Sequence, residues 1–196
     1  MKSVLISIQP KWCELIASGK KTVEVRKTRP KLETPFKVYI YCTKDNTFAE
    51  KTLRGFSNDG KAIYYKANKG KVIGEFVCDR IDGFNVPYPA YFHECDSRTR
   101  KILQSAFLTP MDIHRYNGVH TTYGWHISDL VIYDQPRGLT GFYHYCGDDP
   151  KCYGCELLYY SNTECGKEEF CCSNMYGCKH LERPPQSWCY VVEGGE

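Results

Sequence analysis

Short runs in which apolar and polar residues alternate recur along the chain, and residues that favour turns separate them. Alternation with a period of two is typical of a β-strand that lays one face on a core. The pattern predicts six strands, over residues 3–8, 22–26, 36–42, 71–82, 125–133 and 187–193. Gly74, inside the fourth run, predicts a bulge or a close approach of two backbones.

Helical patterns occur between these strands. Proline is well placed in the first turn of a helix, so Pro10 predicts a helix start, and the apolar stripe that follows ends before Gly19. Residues 97–107 predict a second helix, and Thr109 followed by Pro110 predicts the cap and first position of a third. Short strands with two or three helices and no internal repeat favour an α+β fold.

Residues 44–71 form a long polar excursion that contains Lys, Gly and Asn together with Tyr64 and Tyr65. We expect a short helix near residues 49–54 within it. Basic residues interleaved with aromatic ones can hold a nucleic-acid strand, because bases stack on aromatic rings. An ordinary surface loop is the alternative interpretation of the same composition.

The most informative stretch is residues 19–26, Gly-Lys-Lys-Thr-Val-Glu-Val-Arg. Gly19 suits the left-handed position after a helix. In the strand that follows, the two valines face one way, and Glu24 and Arg26 face the other way, side by side. With Lys21 at the turn, this strand could form the floor of a site for a polar, anionic ligand. The alternative is an ordinary ion pair on a solvated face.

Charge is distributed unevenly along the 196 residues, although the net charge is only +3. Residues 1–80 carry 17 Lys and Arg against 8 Asp and Glu, and residues 81–196 carry 9 against 15. A basic half that includes the 19–26 stretch is typical of a protein that binds nucleic acid. Lysines that merely solvate a surface are the alternative.

The N-terminal sequence has too short an apolar run for the core of a signal peptide, and no segment has the roughly 20 apolar residues of a membrane helix. We therefore expect a cytoplasmic protein with no membrane partner. Cysteines in a reducing compartment more often bind metal than form disulfides. The cysteines at positions 13, 42, 78 and 95 are scattered, and we expect them to be buried thiols.

Seven of the twelve cysteines lie between residues 146 and 178, in a segment with few aliphatic residues. Cys152-Tyr-Gly-Cys155 has the spacing at which two thiolates reach one tetrahedral ion. Because the segment can scarcely build its own core, a structural zinc would supply the free energy of folding. Disulfides and a redox-active C-x-x-C are the alternatives.

We expect one zinc ion, or two. Its most favoured ligands are Cys146, Cys152, Cys155, Cys172 and Cys178. The further candidates are Cys165, Cys171 and His180. A strand pattern resumes after this segment, so residues 144–180 are predicted to be an insertion within a domain formed by residues 1–143 and 181–196.

The spacing Gly19-x-Lys21-x-x-Glu24-x-Arg26, with Ser7-Ile-Gln-Pro-Lys-Trp12 upstream, resembles the ASCH domain of the PUA-like fold. The resemblance covers residues 3–43 and continues more loosely over residues 71–82, 123–134 and 183–193. It implies a small β-barrel flanked by two or three helices, with the motif following the first helix and lining a cleft. No family pattern covers the cysteine-rich segment.

ASCH relatives include nucleic-acid binders, ribonucleases and amidohydrolases that remove acyl groups from modified cytidine. The resemblance therefore implies a nucleotide in a basic cleft, with Lys21 and Arg26 contacting phosphate or a base edge and Glu24 accepting from an exocyclic amine. The residues expected to contact nucleic acid are Gln9, Lys11, Trp12, Lys21, Glu24, Arg26, Trp125 and Ser128. Core packing is the alternative role for each tryptophan.

We therefore expect a protein that binds RNA, or else DNA. Two alternatives remain open at this point. The first is a hydrolase acting on RNA or on an acylated, modified nucleoside, with Lys21 and Glu24 as catalytic residues; the amidohydrolases, however, have Thr at the position of Glu24. The second is a zinc-stapled module that binds a protein partner.

Overall fold

The structure is a computed structural model, and it describes residues 2–44, 52–56, 62–66, 70–88, 91–144 and 181–193. Three α-helices occur in these residues: α1 (Pro10–Ala17), α2 (Ser97–Ala106) and α3 (Pro110–Asn117). The strands of the same residues are β1 (Ser3–Ile8), β2 (Val23–Arg26), β3 (Phe36–Cys42), β4 (Thr52–Phe56), β5 (Ala62–Lys66), β6 (Lys71–Phe84), β7 (Thr122–Arg137), β8 (Phe142–His144) and β9 (Trp188–Glu193).

Seven of the strands form one mixed sheet in the order β2-β7-β6-β3-β1-β9-β8. Strands β1 and β3 are parallel, and every other neighbouring pair is antiparallel. A parallel pair needs a crossover, which α1 and β2 provide. All six strands predicted from alternation are present, and β6 and β7 extend beyond their predicted ends.

The sheet curves strongly, so that its first strand lies beside its fifth. Arg26 on β2 donates a hydrogen bond from Nη2 to the backbone carbonyl of Ser7 on β1, at 2.6 Å. Trp188 at the start of β9 donates from Nε1 to the hydroxyl of Thr28, at 3.0 Å. The resemblance implied a small β-barrel; among the described strands, β2 and β1 are joined by a side-chain hydrogen bond and form no backbone ladder with each other.

The helices begin and end where the sequence predicted. Gly19 follows α1 with φ of 71°, which glycine adopts at little cost. Asp96 caps α2 by accepting a hydrogen bond from the amide of Thr99 at 2.8 Å. Thr109 and Asp112 form a reciprocal capping box at the start of α3.

The predicted bulge at Gly74 is also present. The pairing of β6 with β7 shifts register between Val72 and Gly74. A Cβ atom on Gly74 would lie 2.3 Å from the carbonyl oxygen of Val131, a distance that no side chain tolerates. Glycine is therefore required here because the β7 backbone passes directly over its Cα.

One prediction about the polar excursion is wrong. A short helix was expected near residues 49–54, but Thr52–Phe56 is a strand that pairs antiparallel with Ala62–Lys66. The sequence between these strands includes Asp59-Gly60, a dipeptide typical of hairpin turns, which is the signal that favours the observed pairing.

The core lies on both faces of the sheet. A main cluster inside the curve includes Trp125 and Phe76, and a second cluster joins β2 to α2 and α3. The cysteines at 13, 42, 78 and 95 are buried thiols outside any disulfide, as predicted. In the part of the chain that the structure describes, no helix is long and apolar enough to cross a membrane.

Candidate functional site

Strand β2 is the floor of the candidate site, and both of its faces are buried. Val23 and Val25 pack into the cluster beneath α2 and α3. Glu24 and Arg26 lie on the opposite face, on the inner side of the curved sheet, as alternation predicts. Pairing with β7 fixes this arrangement, because Glu24 stands directly across from Trp125 in the core.

Three charged side chains form a row on this floor, with the carboxylate in the middle. Lys21 Nζ lies 3.4 Å from Glu24 Oε2, and Arg26 Nη2 lies 3.0 Å from Glu24 Oε1. The three residues are only 2%, 6% and 8% exposed. Charges this deeply buried are tolerated only when they are paired and hydrogen-bonded, so the row is a mutually dependent unit.

Backbone carbonyls from distant segments hold the two cations in place. Lys21 Nζ donates to the carbonyl of Ala106, the last residue of α2, at 2.8 Å. Arg26 donates from Nη2 to Ser7, but its buried Nε has no hydrogen-bond partner within the described residues. An unpartnered buried donor is costly, and a ligand acceptor would relieve that cost.

Burial lowers the pKa of Lys21, and the charge of Arg26 acts in the same direction. Glu24 opposes both effects through its charge and hydrogen bond, without cancelling them. A lysine with a lowered pKa has a larger neutral fraction near neutral pH than a solvated lysine has.

A cleft of about 270 Å³ opens above this row. Its walls come from β1, α1 and α3, and it is lined by Ser7, Ile8, Gln9, Trp12, Lys21, Glu24, Val25, Arg26, Leu108, Asp112, Ile113 and Tyr116. Trp12 is half-buried, and Lys21 Nζ lies 5.1 Å from its ring centroid. Tyr116 is 39% exposed, and Lys27 Nζ lies 4.8 Å from its ring.

The lining of the cleft is balanced in charge, and Lys11 and Lys27 lie at its edge, against the rings of Trp12 and Tyr116. Lys21 and Arg26 contribute two positive charges to its lining, and Glu24 and Asp112 contribute two negative ones. The Asp112 carboxylate is engaged by the backbone amide and hydroxyl of Thr109. The cleft therefore presents donors and an acceptor together, a combination that suits a base edge better than a phosphate.

The structure brings together five of the eight residues predicted to contact nucleic acid: Gln9, Trp12, Lys21, Glu24 and Arg26 all line the cleft. Lys11 lies beside it, with Nζ 4.6 Å from the Trp12 ring. Trp125 is fully buried in the core, where it contacts Phe36 and Trp188. Ser128 lies farther along β7 and donates to the carbonyl of Val77, so neither of these two lines the cleft.

Sequence reasoning missed the wall that α3 provides. Leu108, Asp112, Ile113 and Tyr116 line the cleft, but they lie more than 80 residues after the motif strand. The capping pattern predicts that α3 exists, yet nothing in it indicates where the helix packs. Only the burial of Ile113 against the valine face of β2 places it there.

The predicted metal ligands lie outside the described residues, as do all seven cysteines of the 146–178 cluster. Within the residues that are described, no group of three or more His, Cys, Asp or Glu could hold a metal ion. The zinc site therefore stays a prediction from sequence.

Residues 6–96 match the family model of the ASCH domain. This part of the chain, slightly less than half of its length, is similar to the ASCH domain. The match begins in β1 and includes the whole 19–26 stretch, so the resemblance inferred from the motif is confirmed. No curated protein matches the chain in sequence.

Solved structures share the fold of this chain. The crystal structure of ASCH from Zymomonas mobilis aligns with a TM-score of 0.51 at 18% identity, covering 97% of this chain and 87% of that one. A tyrosine-to-phenylalanine variant of the same protein gives 0.51 at 18% identity, covering 98% and 91%. A serine-to-alanine variant gives 0.50 at 19% identity, covering 97% and 88%. At these identities the likeness concerns the fold alone.

Proposed function

We propose that the ASCH cleft binds one nucleotide of a single-stranded RNA and reads its base edge. The observation that carries the proposal is the buried row of Lys21, Glu24 and Arg26 at the floor of a small cleft. The row offers ammonium and guanidinium donors beside a carboxylate acceptor, and Arg26 Nε lacks a partner among the described residues. A base edge carries the matching acceptors and amino donors.

The size and walls of the cleft suit a single nucleotide. Its volume of about 270 Å³ is near the lower end of ligand pockets, which span about 300 to 1,000 Å³. Trp12 and Tyr116 provide aromatic surface on which an unstacked base can lie. Bases in a duplex are not available for this contact, so single strands or loops are the expected targets. The ASCH domain is a PUA-like fold, a class often linked to RNA binding, and this agrees with the proposal.

Tyr116 gives the cleanest test, because it lines the cleft and is partly exposed. A labelled pool of single-stranded RNA is titrated with the wild type and with Tyr116→Ala. Loss of one stacking contact weakens nucleic-acid binding by about 1–3 kcal/mol, so a loss of affinity of about 5- to 150-fold is expected. Tyr91→Ala is the matched control, because Tyr91 is 54% exposed and does not line the cleft. Equal affinity of both variants would overturn the proposal.

Hydrolysis is the second candidate, and the lowered pKa of Lys21 is the observation that favours it. A neutral amine beside Glu24 can act as a base or a nucleophile on bound RNA or on an acylated nucleoside. Denaturing gels of the same RNA, together with an assay on acylated cytidine, test this candidate. Turnover by the wild type that disappears in Lys21→Met, a variant that keeps the bulk of the side chain, would make the protein an enzyme. Binding without turnover would leave it a binding protein.

A further inference from the structure

A second cavity, of about 440 Å³, lies on the other side of β2 from the cleft, between α2 and the strands β6 and β7. Its charged and polar lining comprises Arg80, Asp82, Ser97, Arg98, Lys101, Ser105 and His126. His126 follows Trp125 along β7 and therefore points to the opposite face, away from the main cluster that contains Trp125. The cavity thus has no side chain in common with the cleft.

Asp82 organises the cations of this cavity. Its Oδ1 accepts from Arg98 Nη2 at 2.5 Å, and its Oδ2 lies 3.2 Å from Arg80 Nε and 2.8 Å from His126 Nε2. Burial raises the pKa of the Asp82 carboxyl, but the hydrogen bonds from Arg98 and His126 outweigh it, so that the pKa is lowered. Both carboxylate oxygens are therefore occupied by groups of the protein itself.

The positive charge of the cavity exceeds what Asp82 compensates. Arg80, Arg98 and Lys101 supply three positive charges against one carboxylate, an excess of two. Each guanidinium has five N–H donors and uses only part of them on Asp82 and His126. The Lys101 ammonium has no ion pair or hydrogen bond within the described part of the chain. Unsatisfied cationic donors around a hollow favour an anion with several acceptor oxygens.

The last turn of α2 connects this cavity to the cleft. Ser105 lines the cavity, and the carbonyl of its neighbour Ala106 accepts from Lys21 Nζ in the cleft. The amide of Thr22 donates to the carbonyl of Ser105 at 3.0 Å. Ser105, which lines the cavity, and Ala106, which holds Lys21 of the cleft, are therefore neighbours in the chain, with Cα atoms about 3.8 Å apart.

We propose that the cavity binds a backbone phosphate of the same RNA strand whose nucleotide occupies the cleft. This inference rests on the proposed function. It assigns the phosphate contact to the second cavity instead of to Lys21 and Arg26 in the cleft. The cleft is balanced in charge and reads the base, whereas the Arg80, Arg98 and Lys101 cavity neutralises the backbone. Phosphate contacts position a strand, and base contacts specify it.

The test uses Lys101→Gln in the full chain, with Arg100→Gln as the matched control. Arg100 is the preceding residue of α2, carries the same charge and lines neither site. Binding of single-stranded RNA is measured over a range of salt concentrations. Removing one phosphate contact lowers the slope of log affinity against log salt by about 0.7 and weakens all sequences alike. Lys101→Gln is expected to show this change, and Arg100→Gln is not.

Free nucleosides and inorganic phosphate separate this inference from the proposed function. Nucleosides, which lack phosphate, should bind Lys101→Gln as tightly as they bind the wild type, with backbone amide NMR shifts as the readout. Inorganic phosphate should shift the amides of residues 97–105 in the wild type and not in Lys101→Gln. If RNA fails to bind while phosphate gives these shifts, the proposed function falls and the anion site stands. Equal salt slopes for the two variants, or no phosphate-dependent shift, would overturn the inference.

Discussion

Glu24 is the central residue of the site, because it is the counter-charge of two buried cations. Lys21 and Arg26 both contact its carboxylate, and all three side chains are almost completely removed from water. Removing one member of a buried charged group leaves the others uncompensated, which costs more than the group itself contributes. The stability of the fold and the chemistry of the cleft are therefore coupled at this residue.

We expect Glu24→Gln to lower the free energy of unfolding by about 3 kcal/mol, because it leaves Lys21 and Arg26 buried without a counter-charge. Chemical denaturation at neutral pH measures the change. Glu94→Gln is the control, since Glu94 is exposed and its only ion-pair partner in the described residues is the exposed His93. This control should stay within about 0.5 kcal/mol of the wild type.

A double variant distinguishes charge from packing. If the loss comes from uncompensated charge, Lys21→Met in the Glu24→Gln background should restore part of the stability, because it removes one buried cation. A double variant that is less stable than Glu24→Gln would show that the row contributes by packing, and the electrostatic explanation would be wrong.

Strand β6 shows how one glycine shapes an element. The bulge at Gly74 lets β6 follow the curve of the sheet, and the Val131 carbonyl occupies the space where a side chain would start. Gly83 lies on the same strand, but there a Cβ would meet its nearest neighbour at an ordinary 3.6 Å. The two glycines therefore differ in packing and not in local secondary structure.

We expect Gly74→Ala to lower the thermal midpoint strongly, with a loss of about 1–3 kcal/mol or more, because the clash is with backbone and cannot relax by a rotamer change. Gly83→Ala should change stability little. Thermal unfolding followed by circular dichroism gives both values. If the two variants melt at the same temperature, the close approach of β6 and β7 at Gly74 is not a constraint on the fold.

The contrast between packing and local structure also explains which elements the sequence could predict. Alternation identified β2 and the faces of Glu24 and Arg26, because that information is local to a few residues. The β4–β5 hairpin was missed because a composition of Lys, Gly and Asn hides a turn dipeptide, Asp59-Gly60. Trp125 was expected in the cleft with core packing as the alternative, and it lies in the core; periodicity places a residue on a face but cannot tell a core from a cleft.

At the scale of the whole molecule, curvature assembles the site. The sheet order puts β2 at one edge and β1 four strands away, yet Arg26 reaches the Ser7 carbonyl because the sheet bends round. The C-terminal turn of α2 then supplies the Ala106 carbonyl to Lys21. These contacts join residues 7, 21–26 and 106. The residues lie far apart in the sequence, so a pattern that spans a few neighbouring residues cannot predict the contacts. The motif was therefore predictable, whereas the walls of its cleft and the second cavity were not.

The topology also fixes the ends of the cysteine-rich segment. Strand β8 ends at His144, and β9 pairs with it antiparallel, so that Phe142 stands across from Glu193. The chain thus leaves the sheet and returns to it at adjacent strands. A segment anchored in this way can carry a metal-stabilised unit without altering the register of the sheet. We retain the prediction that its cysteines bind zinc.

We expect about one zinc per chain, measured by elemental analysis of protein purified without chelator, and its loss in the Cys152→Ser, Cys155→Ser double variant. Cys189→Ser is the matched control on β9, because burial raises the pKa of Cys189 to about 11 and a protonated thiol is a poor ligand. The control should keep its metal. Protein that contains no zinc, or a double variant that retains it, would contradict the prediction and favour disulfides. Because all residues that line the cleft and the second cavity lie between positions 7 and 126, the double variant should still bind RNA if both proposals hold.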